Sequence, residues 1–517
     1  MLGRRAIGAL ALAAVAGPFA FSPSRTSAAG RDSEQLGAWL IGETGRVNPG
    51  ADERCDPNEI APRPGEAAEH ARRRLSVVIA GCTATIVTNK ATPHSIAVAL
   101  RVRALAHYRL DEFNEAVADE TQAMKADPRA GAEETAHILQ DRALAYFALG
   151  DDRNVIADYS AALQADPRLT QDKVARILKN RGVAYQRVGE PDKAMADFEA
   201  VLRMDPQKAD NAEILIARAT LHDARHEHAE AIADYSAAIA LKPAEVRAWL
   251  GRAFAQRDKG DRAAAEADAR KALQIDPNSA PAHKLLAELA IASGDAKAAA
   301  ADTEQALKVN PKDADALKFR ADAALAAGDR GGAIIGYSQA LETNPKLVSA
   351  FNNRGVAYMG ERDFAHAAQD FGQVIALDPA QASAWINRGF AREALNDDAG
   401  ALSDLAHGLE LDPKNGQALR QKAFLEQRKG DHVAAADDFG RAIALDAKDE
   451  EALRGRGFAE LSLKRYDAAI ADLSAAVVVN PNDGTAFGFR AQAYAATNRL
   501  KLAEQDLDAS KRLGPGH

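Results

Sequence analysis

Ten prolines, each preceded by Asp, Asn or Lys, punctuate the chain at Pro128, Pro167, Pro206, Pro243, Pro277, Pro311, Pro345, Pro379, Pro413 and Pro481. From Pro243 onward the step is 34 residues; one member is missing, where Ala447 stands, and the register survives it. The earlier steps are 39, 39 and 37 residues. A fixed period of this length means a stacked array of small units, so the period constrains the fold more tightly than any single motif.

Each unit carries two helical patterns. The first, such as "AWINRGFAREAL" from Ala384, ends at a turn, with glycine there at Gly150, Gly189, Gly260, Gly294, Gly328 and Gly430. A positive φ at a helix C-terminus is what glycine supplies most readily. The second pattern, such as "ALSDLAHGLEL" from Ala401, stops at the proline, which cannot continue a helix. With the proline numbered 32, position 8 is Ala or Gly in all twelve units, from Ala104 to Ala491. Position 20 is alanine in eleven units, with Val155 the exception. Composition that is 47% hydrophobic but only 5% aromatic supplies such columns. Small side chains at fixed points let two helices touch closely, which predicts many thin helical layers.

These columns resemble the tetratricopeptide repeat. Trp249 and Trp385 stand at position 4, with Phe351 and Phe487 as aromatic substitutes. Tyr146, Tyr185, Tyr358 and Tyr494 stand at position 11; Tyr159, Phe198, Tyr235, Tyr337, Phe371 and Phe439 stand at position 24. The resemblance covers about residues 97–515. It implies an all-α fold, an α-solenoid in which helix-turn-helix units build a right-handed superhelix, with the first helices lining a groove for a partner.

The boundaries expected are a signal peptide at 1–29, a tail or cap at 30–65, a segment of irregular repeats at 66–243, eight regular units at 244–515 and a short tail at 516–517. The signal peptide rests on Arg4 and Arg5, the apolar run Ala6 to Ala16, the breakers Gly17 and Pro18, and small residues at Ser27 to Ala29. Pro18, Pro23 and the weak hydrophobicity of alanine argue against a membrane anchor, and no later segment could span a bilayer. Cleavage would take the net charge from −9 to −12, since three arginines and no acids leave. An acidic chain is a poor match for nucleic acid. Cys55 and Cys82 are the two cysteines. In an oxidising compartment they suggest one disulfide, the alternative being two separate thiols. "VVIAGCTATI" aligns with the second-helix pattern, so residues 70–88 read as a lone second helix that a Cys55–Cys82 bridge would cap.

Several columns could carry function. Arg at position 7 in ten units and Asp at position 23 in eleven read as a repeated ion pair between helices, which belongs to the scaffold. The exceptions, Leu286 and Gly336, leave open which helices are paired. Phe254, Phe390, Phe424 and Phe458 fall at position 9, a groove position in the family, and Arg420 and Arg454 stand beside them at position 5. This strip suits a peptide with apolar and acidic side chains; alternatively the rings pack against the neighbouring first helix. His222, His226 and His228 form the one metal-like cluster, but His222 and His228 occupy aromatic packing slots. No metal site, cofactor or catalytic residue is therefore expected.

The reading is a non-catalytic scaffold or adaptor that binds protein or peptide partners, exported to the periplasm of a bacterial envelope or secreted. Three alternatives stand beside it: a periplasmic subunit of a polysaccharide or protein export machine, a metal-buffering protein, and a cytoplasmic co-chaperone.

Overall fold

The structure, a computed structural model, describes residues 52–63, 65–88 and 91–514. The expected signal peptide, most of the expected tail at 30–65, and residues 515–517 lie outside the described residues. Among the described residues are 25 α-helices, one short 3-10 turn at Pro57–Ile60, and no strand. Consecutive helices pack on each other from Ala68–Val87 to Arg262–Ile275, and again from Ala280–Ser293 to Leu500–Leu513, so the chain is an all-α solenoid. They gather into two compact bodies, one ending at Asp276 and the other starting at Pro277. Among the described residues, no helix is long and apolar enough to cross a membrane.

The helix ends follow the repeat grammar. First helices such as Val246–Lys259 close on a residue in the left-handed region, and second helices such as Arg262–Ile275 close just before the proline. Position 15 has positive φ in every unit. Six of these residues are the glycines already named. The other six are Asp111, His226, Arg362, Asn396, Lys464 and Asn498, with φ between 60° and 63°. A side chain in this region costs about 1 kcal/mol. Lys464→Gly is therefore expected to stabilise the protein by roughly that amount, read as a higher urea midpoint.

The columns of small residues lie where helices meet. Where position 8 is glycine, at Gly182, Gly355, Gly389 and Gly457, the position-24 side chain of the same unit packs onto it. A Cβ added to Gly355 would stand 2.9 Å from Phe371, and one added to Gly457 would stand 2.6 Å from Leu473. The same ring also reaches the next unit. A Cβ on Gly455 would meet Phe439, and Asn180 Nδ2 donates to Tyr159 Oη at 3.1 Å. Trp249 and Trp385 donate their indole N–H to the carbonyls of Pro243 and Pro379, which fastens each first helix to the turn before it. Gly332 and Gly336 have close-packing reasons of their own. The Gly332 amide donates to the capping Asp329, and a Cβ on Gly336 would come within 2.8 Å of Ala321.

The described part of the expected tail lies against the lone second helix. The lone second helix spans Ala68–Val87, and Cys82 within it is disulfide-bonded to Cys55. Ile60, 1% exposed, joins Leu75, Val78, Ala99 and Val102 in one cluster. The Asp52 amide donates to Thr85 Oγ1 at 3.0 Å. Residues 52–61 thereby cover the face of Ala68–Val87 that a missing first helix would leave open. A Cβ on Gly81 would strike the Arg54 backbone at 2.6 Å, so the covering segment lies directly on the helix.

Candidate functional site

The charged columns resolve first. In nine units the position-7 arginine gives Nε and Nη2 to the two oxygens of the position-23 aspartate of its own unit, at 2.6–2.8 Å. In several units the remaining nitrogen, Nη1, reaches back to a hydroxyl on the preceding second helix, as Arg354 does to Ser338 at 2.9 Å and Arg490 to Ser474 at 3.2 Å. One guanidinium thus ties three helices. Hydrogen bonding to the aspartate is the largest cause holding Arg181, Arg218, Arg354 and Arg490 more firmly protonated than usual.

The irregular units substitute for the pair. Lys422 reaches Asp438 at 2.6 Å. Arg320, facing Gly336 in place of an aspartate, donates to Gln339 at 2.6 Å. Asp302, facing Leu286 in place of an arginine, meets His283 Nδ1 at 2.9 Å.

The position-5 cations are likewise engaged within the chain. Arg420 holds Asp449 at 2.6 Å, and Arg454 holds Glu450 at 3.0 Å and Asp483 at 2.8 Å. Lys179 meets Glu213 at 3.0 Å, Lys284 meets Asp313 at 2.9 Å, and Lys318 meets Asp322 at 2.9 Å. Burial first, then the hydrogen bond shared with Asp483, pushes Glu450 up to about 7. The arginines expected to grip acidic partner side chains already have carboxylates of their own.

The phenylalanines divide. Phe424 and Phe458, both half-buried, face one cleft of about 520 Å³ in the body that starts at Pro277. Gln421, Gln427, Arg428, Arg454, Glu393 and a further ring, Phe489, complete its wall. Phe458 and Phe489 lie 4.7 Å apart, and Phe424 sits edge-on to the buried Phe439 at 5.0 Å. Phe390 leans on the same apolar cluster as Phe424 but does not line the cleft. Phe254 belongs to the other body, beside Arg257 at 5.2 Å, and takes no part in this cleft. Arg420 does not line it either. Phe489 stands at position 6, a column that mostly carries small or polar residues facing the preceding unit, so the position-9 strip alone did not point to it.

The histidine cluster does not assemble into a ligand set. His222 pairs with Glu227 at 2.7 Å, His228 with Asp223 at 3.3 Å, and His226 takes the left-handed turn position. The described residues contain a different set of three metal-ligating side chains, His94, Asp127 and Glu134, whose ligand atoms lie within 4.8 Å of one another. Sequence reasoning passed over them because 33 and 7 residues separate them, with no local motif.

Comparison with known proteins agrees with this architecture. The family model described as "Tetratricopeptide repeat" matches residues 179–235, 216–280, 284–347, 352–416, 420–483 and 459–517. No curated protein sequence matches the chain. Among solved structures, a tetratricopeptide repeat protein from Parabacteroides merdae is similar at 20% identity, covering 51% of this chain and 98% of its own, with a TM-score of 0.41. PilF from Pseudomonas aeruginosa is similar at 20% identity, covering 40% and 94%, with a TM-score of 0.38. YrrB, described as a TPR protein with an unusual peptide-binding site, is similar at 21% identity, covering 36% and 97%, with a TM-score of 0.31.

Proposed function

Because the chain belongs to the tetratricopeptide repeat family, whose members are generally non-catalytic scaffolds binding protein or peptide partners, we propose that it is an exported adaptor of a bacterial cell envelope, holding a partner segment at the Phe424–Phe458–Phe489 cleft. The observation that carries this reading is the cleft itself. Three aromatic rings from three successive units are half-buried and open on one side, while the charges around them are internally paired. Such a site takes an apolar or aromatic side chain of an extended or helical segment, and the paired rim charges fix its approach more than its affinity. Export is supported by the Cys55–Cys82 disulfide, since structural disulfides persist in oxidising compartments, and by the basic, apolar and small-residue order of residues 1–29.

A photoreactive residue at Phe424 or Phe458, introduced in the native cell, is expected to capture one defined protein. Phe458→Ala is expected to weaken binding of that protein at least about ten-fold with helix content unchanged. Silence at both positions would return the rings to a packing role. The amino terminus of the same recovered material checks export: sequencing should begin near Gly30, and a terminus at Met1 would count against it.

A further inference from the structure

We propose that His94, Asp127 and Glu134 form a binding site for one divalent transition-metal ion, zinc being the best match, that bridges the first two helix pairs. His94 opens the first turn of the helix Pro93–Arg109, Asp127 caps the end of Phe113–Ala126, and Glu134 lies in the first turn of Ala132–Leu149. Three separate elements thus bring one side chain each to one point. His94 Nδ1 stands 3.2 Å from Asp127 Oδ2 and 3.8 Å from Glu134 Oε2. Donors held at about 2.1 Å around a tetrahedral ion stand about 3.4 Å from one another, so the observed separations need only small rotations to close on a metal.

The donor chemistry agrees with the geometry. One imidazole nitrogen and two carboxylate oxygens suit zinc and its neighbours, whereas magnesium and calcium favour oxygen alone. His94 is largely exposed, which leaves the remaining coordination positions to water. Both carboxylates are mostly buried, at 17% and 16% side-chain exposure, and among the described residues no lysine or arginine pairs with either. That is unusual in a chain whose buried aspartates mostly meet arginine. The second oxygen of Asp127 accepts the Arg129 amide, so the carboxylate is already oriented.

The arrangement is also singular. Glu134 belongs to the extra residues that lengthen the early units. At the next two junctions the equivalent positions hold Glu133, Asp166 and Lys173, then Asp172, Asp205 and Asp210, with no histidine. A scaffold feature would recur with the repeat; this one does not.

The test is equilibrium dialysis and cobalt(II) absorption on the full chain, with zinc as competitor. The expected result is one equivalent of metal with tetrahedral or five-coordinate cobalt bands. Asp127→Asn combined with Glu134→Gln should weaken binding at least about ten-fold. The side-chain amide introduced by Asp127→Asn keeps an oxygen to accept the Arg129 N–H, so this variant should fold. A control with His222, His226 and His228 all changed to alanine should bind as the parent does. Absence of stoichiometric binding, or binding that survives the carboxylate pair and disappears in the triple-histidine control, would overturn the proposal.

Discussion

Phe371→Ala is expected to remove about 3–5 kcal/mol of stability. The ring is fully buried, with Gly355 beneath it in its own unit and Ala391 from the next unit in the same cluster. Truncation leaves a hole that two backbones would have to move to fill. Denaturant unfolding of the variant checks the magnitude, and a second substitution checks the cause. Gly355→Ala in the parent introduces a Cβ 2.9 Å from the ring, so its gain in helix propensity is opposed by a clash. With the ring removed the clash is gone, and the same change should stabilise by up to about 1 kcal/mol. Equal effects in both backgrounds would mean that position 8 is not small because of position 24.

Arg354→Met is expected to cost a similar amount, about 3–5 kcal/mol, through a different mechanism. Both oxygens of Asp370 are bonded to Arg354, and Asp370 is only 3% exposed. Removing the guanidinium leaves a buried carboxylate without its counter-charge and frees Ser338 from its bond to Nη1. Arg354→Met combined with Asp370→Leu should be markedly more stable than the single arginine variant, because the stranded charge is gone. If the double variant is no better, the arginine acts by packing its stem and not by pairing. The same column in its irregular members shows how the chain handles the problem: where Gly336 removes the acid, Arg320 turns to Gln339.

How far the sequence was legible depends on which residues are considered. The helix pairs could be read at once, because proline and small residues recur at fixed offsets and each is required by a contact. The Cys55–Cys82 bridge could be read from an even pair of cysteines behind an expected export signal, with two separate thiols as the alternative, and the lone helix that carries Cys82 from the alignment of "VVIAGCTATI". The partner of the position-7 arginine could not. In a perfect repeat, pairing within a unit and pairing to a neighbour give the same columns, and only coordinates separate them. The six left-handed turns without glycine were also hidden: the packing of the two helices imposes φ there whether or not the residue favours it, as at Arg362 and Lys464. At the candidate cleft, Phe424 and Phe458 were legible as members of one column, while Phe489 was not, because it reaches the same space from another column. His94, Asp127 and Glu134 meet only through stacking, which no local pattern reports.

In a linear array each module is steadied by its neighbours, so fraying starts at the ends. Here the two ends are unequal. One is stitched by a covalent bond between Cys55 and Cys82 and sealed by Ile60. At the other, the described last helix, Leu500–Leu513, buries Asp506 alone and leaves Leu500, Leu502 and Leu507 to solvent. Of these two elements, each within its own body, Leu500–Leu513 is therefore expected to open before the disulfide-stitched Ala68–Val87.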